Sequence, residues 1–412
     1  MKNLTGQLAR GPDFFDRRAE MERFWLDLDT DNLLLLAARR VGKTSLMYRM
    51  ADDAVGFGFS TVFVDVCDCA DELRFVQRLF NAILATRHGE TLWPKIKKSG
   101  LAKTVRRVQK IGGAGFTVEL TPEGSAPWTR LGEELAETLS HLEGRWLIQI
   151  DELPVFVLNL LNAAATPDRV RVREFLYWMR RLRLQYPSIR WMLAGSIGLD
   201  TVASRLNIGD AVNDLHIAKL DAFEEPAAAE FLRVLSETYQ LELTEAVRRH
   251  VIRRAGWPVP FYLQLIFKEL RSGSKPVTEE RVDRAIESLL GPQHRNYFDY
   301  WRQRLHEELG EPDGAHASLI LSHACRAPEG ASRSTLSLAL STMIRDAKAR
   351  EDALRYLLDV LQNDGYLVEA HGKMRFRSPL LREFWLRRVA PPEDAPPEEA
   401  PPEEDGSAGA IG

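Results

Sequence analysis

Residues 37–45 combine small residues, a lysine and two hydroxyls in an order suited to binding phosphate. They are Ala37, Ala38, Arg39, Arg40, Val41, Gly42, Lys43, Thr44 and Ser45. They match the phosphate-loop pattern G-x-x-x-x-G-K-[ST] except at its first position, Ala37. Gly42 would let the backbone approach the phosphates, Lys43 would reach the β- and γ-phosphates, and Thr44 would place its hydroxyl on Mg²⁺. The segment predicts an ATP and Mg²⁺ site, and the alternative is a chance Gly-Lys-Thr in a basic loop.

A second motif is an apolar run that ends in two carboxylates, Asp151 and Glu152, after residues 147–150. This pattern is typical of the Walker B strand of nucleoside triphosphatases. Asp151 would hold Mg²⁺ through water, and Glu152 would orient or deprotonate the attacking water. The alternative is that Glu152 only caps the following helix, which permits nucleotide binding but not hydrolysis.

A third segment, residues 193–198, is apolar at first and then contains Gly195 and Ser196. Ser196 would lie beside the γ-phosphate and respond to hydrolysis, although a simple turn at Gly195 explains the segment equally well. The predicted catalytic residues are therefore Glu152, Lys43 and Ser196. The predicted metal ligands are Thr44 and Asp151.

Apolar strands that alternate with helices must position these motifs. The strands are expected at residues 32–37, 60–66, 145–150, 190–194 and 214–220. Their continuous apolar character predicts a parallel α/β sheet that is covered on both faces. Residues 95–110 form a basic insert before a further strand at 116–120, and either contact with phosphates or a solvated amphipathic helix accounts for it.

The pattern becomes helical after the sheet. Apolar stripes at 225–238, 244–255, 260–272 and 277–290 predict a small helical lid domain. Helices at 316–326, 332–343 and 349–363 precede a hairpin around the His371-Gly372 turn, and this order predicts a winged helix. We therefore expect an ATPase core over 1–222, a lid over 223–292, a winged-helix domain over 293–389 and a disordered acidic, proline-rich tail over 390–412.

Composition limits the class of protein. The chain has 412 residues, and 45% are hydrophobic and 28% charged, which is typical of a globular protein. The formal net charge is −4, but residues 390–412 contain seven acidic residues and no Lys or Arg, so the remainder is mildly basic at +3. Three cysteines without metal-binding spacing favour a reducing cytoplasm, and no apolar run is long enough to span a membrane.

These motifs together resemble the archaeal-type ATPases, which are close to the STAND signalling ATPases and the AAA+ proteins. The matching segments are residues 37–45, Ile150 to Leu153, Gly195 to Leu199 and Gly256-Trp257-Pro258. The N-terminal Phe14-Phe15-Asp16-Arg17 is similar to the family's F-x-G-R signature, with Asp16 where glycine is usual. Asp364-Gly365-Tyr366 and residues 376–382 look like the family's winged-helix end.

The resemblance implies further site residues. Phe15 and Arg17 would flank the adenine, and Gly256 and Pro258 would close over the base and ribose. An ordinary helix break at Pro258 is the alternative. An arginine finger could come from the basic stretch of 169–183, although a solvated basic face explains most of its members. Arg39 and Arg40 could instead point away from the phosphates toward a partner.

Two functions fit the sequence best. The first is an ATP-binding and slowly hydrolysing conformational switch, acting on a protein partner or by self-association. The alternative is a DNA-associated ATPase, like the origin-recognition or transposition regulators. It would bind DNA non-specifically through the basic insert and the wing residues Lys373, Arg375 and Arg377. The carboxylates of the third winged-helix helix argue against reading of a DNA sequence. A metabolic kinase fits poorly, and a non-catalytic nucleotide-binding scaffold remains if Glu152 is misplaced.

Overall fold

The structure is a computed structural model that describes residues 1–98, 105–109, 116–120, 127–163, 168–195, 198–273 and 276–390. The predicted acidic tail, apart from Ala390, lies outside the described residues, and so does Ser196. The described strands are β1 (Asn32–Ala37), β2 (Phe59–Asp65), β3 (Val105–Gln109), β4 (Phe116–Leu120), β5 (Arg145–Asp151), β6 (Ile189–Gly195), β7 (Leu215–Leu220), β8 (Ala331–Ser332), β9 (Leu367–Ala370) and β10 (Lys373–Phe376).

Helices occupy most of the remaining described chain. In the first half they are α1 (Arg18–Thr30), α2 (Lys43–Asp53), α3 (Glu72–Leu84), α4 (Gly89–Lys98), α5 (Trp128–Ser140), α6 (Leu153–Leu161), α7 (Arg169–Gln185) and α8 (Leu199–Arg205). In the second half they are α9 (Glu225–Tyr239), α10 (Glu245–Ala255), α11 (Pro260–Ser272), α12 (Glu279–Leu289), α13 (Asn296–Leu309), α14 (Asp313–Ala324), α15 (Arg333–Leu340), α16 (Ala347–Asn363) and α17 (Pro379–Arg388). None of these helices is both long and apolar enough to cross a membrane.

A five-stranded parallel sheet lies at the centre, in the order β2-β5-β6-β1-β7. The predicted parallel α/β sheet is confirmed. The residues of β1 and β5 are buried almost without interruption, as expected where helices cover both faces. One strand, β6, separates β1 from β5, and in all three strands the carboxyl ends lie at the same edge. The loops that follow them therefore meet there, which is where ligands bind in open α/β sheets.

The winged-helix unit, which we define as residues 313–388, has its elements in the order helix, strand, helix, helix, strand, strand, helix. Its small antiparallel sheet has the order β8-β10-β9. The predicted helices and hairpin are present, but β8 was not predicted because two residues are too few to show a pattern. Lys373 and Arg375 are exposed and Met374 and Phe376 are buried, as their alternation predicted.

Two parts of the described chain differ from expectation. Residues 105–109 form a strand paired with β4, so the helical interpretation of the basic insert is wrong there. Helix α13, between the predicted lid and the winged-helix unit, was not predicted. Its apolar residues are few, but Phe298, Trp301 and Leu305 are buried. The domain boundaries at 222, 292 and 389 stay predictions.

Candidate active site

The loop between β1 and α2 has the geometry that phosphate binding requires. Gly42 has φ +99°, and α2 begins at the next residue, Lys43. A Cβ added at Gly42 would meet no protein atom, so backbone conformation alone favours glycine there. Ala37 is the last residue of β1 and does not have a positive φ, so glycine is not required at the first position of the motif. The departure from the phosphate-loop pattern thus leaves its shape unchanged.

Four side chains, from the start of α2 and the end of β5, form a cluster in which Lys43 and Asp151 are buried and Thr44 and Glu152 partly buried. Lys43 Nζ lies 2.7 Å from Asp151 Oδ1 and 3.0 Å from Glu152 Oε1. Thr44 Oγ1 donates a hydrogen bond to Asp151 Oδ2 at 2.8 Å. The structure therefore brings together the predicted ligands of phosphate, metal and water.

The donor set at Thr44 and Asp151 fits Mg²⁺. A hydroxyl beside a buried carboxylate supplies hard oxygen ligands, and Mg²⁺ usually takes only one or two such groups and completes its shell with waters and phosphates. Within the described ranges, no cluster of three or more His, Cys, Asp or Glu side chains could hold a metal ion. Substrate phosphates would thus have to supply the remaining ligands.

The side chain of Glu152 faces the loop and does not cap α6. Glu152 occupies the N-cap position with φ +57°, but its carboxylate makes no capping hydrogen bond and instead accepts one from Lys43. The helix-cap interpretation is therefore wrong for this side chain. Burial alone would raise the pKa of the Glu152 carboxyl, but the charges of Lys43, Arg304 and Arg39 outweigh burial and lower the pKa to about 2.

A cavity of about 370 Å³ lies beside the loop, within the size range of small-molecule sites. The segment 37–45 and Glu152 line part of it, and another part of the lining is aromatic. The aromatic residues are Phe14, Phe15, Phe223, Phe231 and Phe261. Phe15 contacts Phe223 and Phe231 edge to face. A cavity lined by a phosphate-binding loop and by aromatic rings suits a nucleotide, because the flat faces of a base pack well against aromatic side chains.

The N-terminal segment closes one side of this cavity. Residues 4–9 contribute to the lining, and Ala9 N–H donates to Ser45 Oγ at 3.1 Å. Asn3 N–H donates to the Tyr239 hydroxyl of α9 at 2.9 Å. Ser45, predicted as a nucleotide contact, therefore holds the N-terminal segment against the loop.

Arg17 holds the loop through hydrogen bonds to backbone carbonyl oxygens. Its Nη2 donates to the carbonyl oxygens of Val41, at 3.0 Å, and Asp221, at 2.7 Å, and its guanidinium lies 4.5 Å from the ring centre of Phe223. Asp16 and Arg17 both have positive φ. This explains why glycine is usual at the position of Asp16, and Asp is among the residues that tolerate this conformation. Arg17 thus joins the loop to the end of β7.

The Gly256-Trp257-Pro258 segment lies elsewhere than the resemblance implied. Gly256 and Pro258 are not among the residues that line the cavity, whereas Pro260 and Phe261 are. Gly256 has φ +67°, and an added Cβ would lie 2.4 Å from Pro379 Cδ of the winged-helix unit. The segment therefore joins the lid to the winged-helix unit, and the expected contact of Gly256 and Pro258 with base and ribose stays a prediction.

The turn at residues 363–366 of the winged-helix unit contacts the phosphate loop directly. Arg39 Nε donates to Asp364 Oδ1 at 2.5 Å, and both side chains are 4% exposed. Burial raises the pKa of Asp364 to about 6 in spite of the Arg39 charge, so ionising this carboxyl is costly without its partner. A Cβ added at Gly365, which has φ +87°, would lie 2.8 Å from Ala38 Cβ and 2.5 Å from the Trp257 ring. The two surfaces are in van der Waals contact.

Arg40 also points away from the phosphates. Its guanidinium lies 4.4 Å from the ring centre of Phe261 in α11 and 4.9 Å from that of Tyr300 in α13. The partner that Arg39 and Arg40 were expected to reach is therefore the same chain: the winged-helix unit for Arg39, and the lid with α13 for Arg40.

The arginines of α7 lie away from the cavity. Arg171 pairs with Glu72 at 2.6 Å, and Arg183, which is buried, pairs with Asp214 at 2.7 Å. None of the α7 arginines lines the cavity. The remaining predicted catalytic residue, Ser196, lies outside the described residues.

Among the cavity residues that were not predicted, Tyr300 and Arg304 come from α13. They are one helical turn apart and so lie on one face. The signal available in the sequence was a Tyr-Arg pair at this spacing, which is too common on solvated helices to indicate a site. Their position depends on how α13 packs beneath the winged-helix unit, where Tyr366 donates to the Trp301 carbonyl oxygen at 2.6 Å.

Comparison with known proteins supports this description of the fold. No family model and no curated protein matches the sequence. Among solved structures, a Walker-type ATPase of Pyrococcus abyssi is similar, with TM-score 0.60 and 19% identity over 92% of this chain and 98% of that one. The ORC2 protein of Aeropyrum pernix, in its ADPNP–ADP complexes, matches with TM-score 0.51 and 16% identity over 93% of this chain and 95% of that one. The chain therefore has the P-loop ATPase fold of these archaeal proteins, as its motifs predicted.

Proposed function

We propose that the protein binds and hydrolyses ATP with Mg²⁺ and uses the state of the nucleotide to set the position of its winged-helix unit. The observation that carries this proposal is the buried Arg39–Asp364 pair. It joins the loop that would hold the phosphates to the unit that would move, over a sequence separation of 325 residues. Rearrangement of the loop around phosphates would therefore directly change the contact between Arg39 and Asp364.

The cluster at the loop supports hydrolysis as well as binding. Mg²⁺, when bound at Thr44 and Asp151, would neutralise charge on the β- and γ-phosphates. Lys43 would bind the same phosphates, and Glu152 would accept a proton from water as that water adds to the γ-phosphorus. The bond from the γ-phosphorus to the bridging oxygen breaks, so the products are ADP and inorganic phosphate.

The position of Lys43 also suggests how Glu152 becomes a base. Among the groups that lower the pKa of Glu152, Lys43 is the strongest. A carboxylate with a pKa of about 2 is a weak base. Phosphates that attract Lys43 would withdraw it from Glu152, and their negative charge would raise the pKa of Glu152 further. Glu152 would then be most basic when the triphosphate is in place.

The first test of this proposal is ATP binding by Lys43→Ala. We expect its ATP affinity to fall about 100-fold or more, because one charged contact to phosphate contributes about 1.5–3 kcal/mol and Lys43 would make more than one. Lys348→Ala, which removes an exposed lysine of α16, is the matched control and should bind ATP normally. Isothermal titration with a non-hydrolysable ATP analogue measures both. Unchanged affinity in Lys43→Ala would remove the loop from the site.

The contacts of the winged-helix unit favour the conformational switch over a protein that recognises DNA through this unit. Helix α16, the third helix of the unit, packs on the ATPase core: Arg205 of α8 lies 3.9 Å from the ring centre of Tyr356, and Asn363 Nδ2 donates to Thr201 Oγ1 at 2.9 Å. The exposed stripe of α16 also carries carboxylates in ion pairs, Glu351 with Arg333 and Asp352 with Arg355. In this arrangement the helix could not enter a major groove.

The wing also has fewer basic residues available for DNA contact than the sequence suggested. Arg377 was expected to extend with Lys373 and Arg375, but it donates to Asp221 at 2.5 Å and lies 4.7 Å from the ring centre of Trp257. Two exposed basic residues remain on β10, which is few for a phosphate-binding surface.

A further inference from the structure

We propose that Arg304 of α13 is the arginine that stabilises the γ-phosphate during hydrolysis, and that it acts on the nucleotide bound by its own chain. This inference rests on the ATP hydrolysis proposed above. It assigns to the site a residue that lies outside the phosphate-loop and Walker B motifs, and it makes each chain a complete catalytic unit.

The position of Arg304 is the first argument. Arg304 lines the same cavity as the phosphate loop and Glu152, and it comes from a separate element, α13. Its Nη1 donates to the Tyr300 hydroxyl, one turn earlier on the same helix, and its guanidinium lies 5.0 Å from the Tyr300 ring centre. The buried residues Trp301 and Leu305 fix the adjacent face of α13. The guanidinium is thus held at the cavity by a rigid helix.

Electrostatics agree with this position. The charge of Arg304 helps to lower the pKa of Glu152 and of Asp364. Arg304 therefore acts on the same space as the water-activating carboxylate, where negative charge develops in phosphoryl transfer.

The other described arginines of the cavity are committed to protein groups. Arg17 holds the carbonyl oxygens of Val41 and Asp221, Arg39 pairs with Asp364, and Arg40 lies between two aromatic rings. Moving any of them to the γ-phosphate would break the loop support or the contact between units. Arg304 donates to Tyr300 of its own helix, so its guanidinium could turn toward a phosphate while α13 stays in place.

In the step we infer, water adds to the γ-phosphorus and its proton passes to Glu152. The bond to the bridging oxygen breaks with its electron pair on ADP. Arg304 would donate hydrogen bonds to γ-phosphoryl oxygens as their charge is redistributed, while Lys43 neutralises the charge that develops on ADP. No oxidant or further reactant is needed.

The test is steady-state ATP hydrolysis by Arg304→Ala. We expect kcat to fall about 10²- to 10³-fold, as on removal of a preorganised donor, with the Kd for ADP unchanged within about threefold. Arg304→Lys should retain part of the rate, and added guanidinium ion should restore part of it to Arg304→Ala. Arg302→Ala, on the exposed face of the same helix, should behave as wild type. Unchanged kcat in Arg304→Ala overturns the inference, and so does a loss that neither lysine nor guanidinium relieves.

Mixing tests whether Arg304 acts in its own chain. Arg304→Ala combined with Glu152→Gln should remain inactive at any ratio, because each chain lacks one part of a single site. Recovery of activity in the mixture would contradict the inference, because Arg304 of one chain would then be acting on the nucleotide bound by another. If the wild-type protein does not hydrolyse ATP at all, the proposed function is wrong. If the wild type hydrolyses ATP and Arg304→Ala does so at the same rate, only the inference about Arg304 is wrong.

Discussion

Glu152→Gln should lower kcat for ATP hydrolysis about 10²- to 10⁴-fold, the usual contribution of a general base, and leave ATP bound. The amide keeps the shape of the side chain but cannot accept the proton of water. It also releases Lys43 from one of its two carboxylates, so ATP affinity should be equal to or higher than that of wild type. A phosphate-release assay gives kcat, and titration with ATP under conditions of no turnover gives Kd.

The matched control for that substitution is Glu143→Gln, which alters an exposed glutamate just before β5. It should change neither value. Wild-type turnover in Glu152→Gln would show that another group activates water and would remove Glu152 from its assigned role. A loss of both binding and turnover would instead indicate that the substitution disrupts the loop.

Arg39→Met should lower the free energy of unfolding by about 3–5 kcal/mol, because it leaves the buried Asp364 carboxylate without its partner. Asp364→Leu should cost a similar amount for the opposite reason. The double variant Arg39→Met/Asp364→Leu should recover most of the loss, since two apolar side chains of similar volume can replace a buried ion pair. Urea titration of all four proteins gives the coupling energy of this double-mutant cycle.

Gly365→Ala perturbs the same contact without altering charge. The added methyl would lie within contact distance of Ala38 and Trp257, so it should separate the turn from the loop. Gly372→Ala is its control, because Gly372 also has a positive φ but open space around it. Additive losses in the double-mutant cycle, or equal effects of the two glycine substitutions, would show that the loop and the winged-helix unit are not coupled at this contact.

The sequence predicted the parts of the molecule that depend on residues close together in the chain. Strand β1 has the predicted bounds, and the loop and Walker B residues meet because strands of a parallel sheet end at one edge. The contacts that join the units could not be predicted in this way. The partners of Arg39 and Gly256 lie in the winged-helix unit, and no periodicity connects residues so far apart. Arg304 was missed for the same reason, since its role depends on the packing of α13.

The resemblance to archaeal ATPases likewise predicted the fold but not the contacts between the units. It agrees with the fold, and it explains Asp16 at a position of positive φ. It assigned Arg17, Gly256 and Pro258 to the nucleotide. Arg17 lines the cavity and also joins the loop to the end of β7, whereas Gly256 lies outside the cavity lining and next to the winged-helix unit. These residues therefore hold together the units whose movement we propose.

The most direct test of the switch is the distance between the ATPase core and the wing in each nucleotide state. Spin labels at Asp52→Cys in α2 and Arg375→Cys in β10, both exposed positions, would report it in a Cys67→Ser background, where the remaining cysteines are buried. With ADP we expect one distance, that of the docked unit. With a non-hydrolysable ATP analogue we expect a second, longer population, which should be absent from Lys43→Ala. The same distance distribution with ADP, with the analogue and without nucleotide, in protein shown to bind both, would contradict the account.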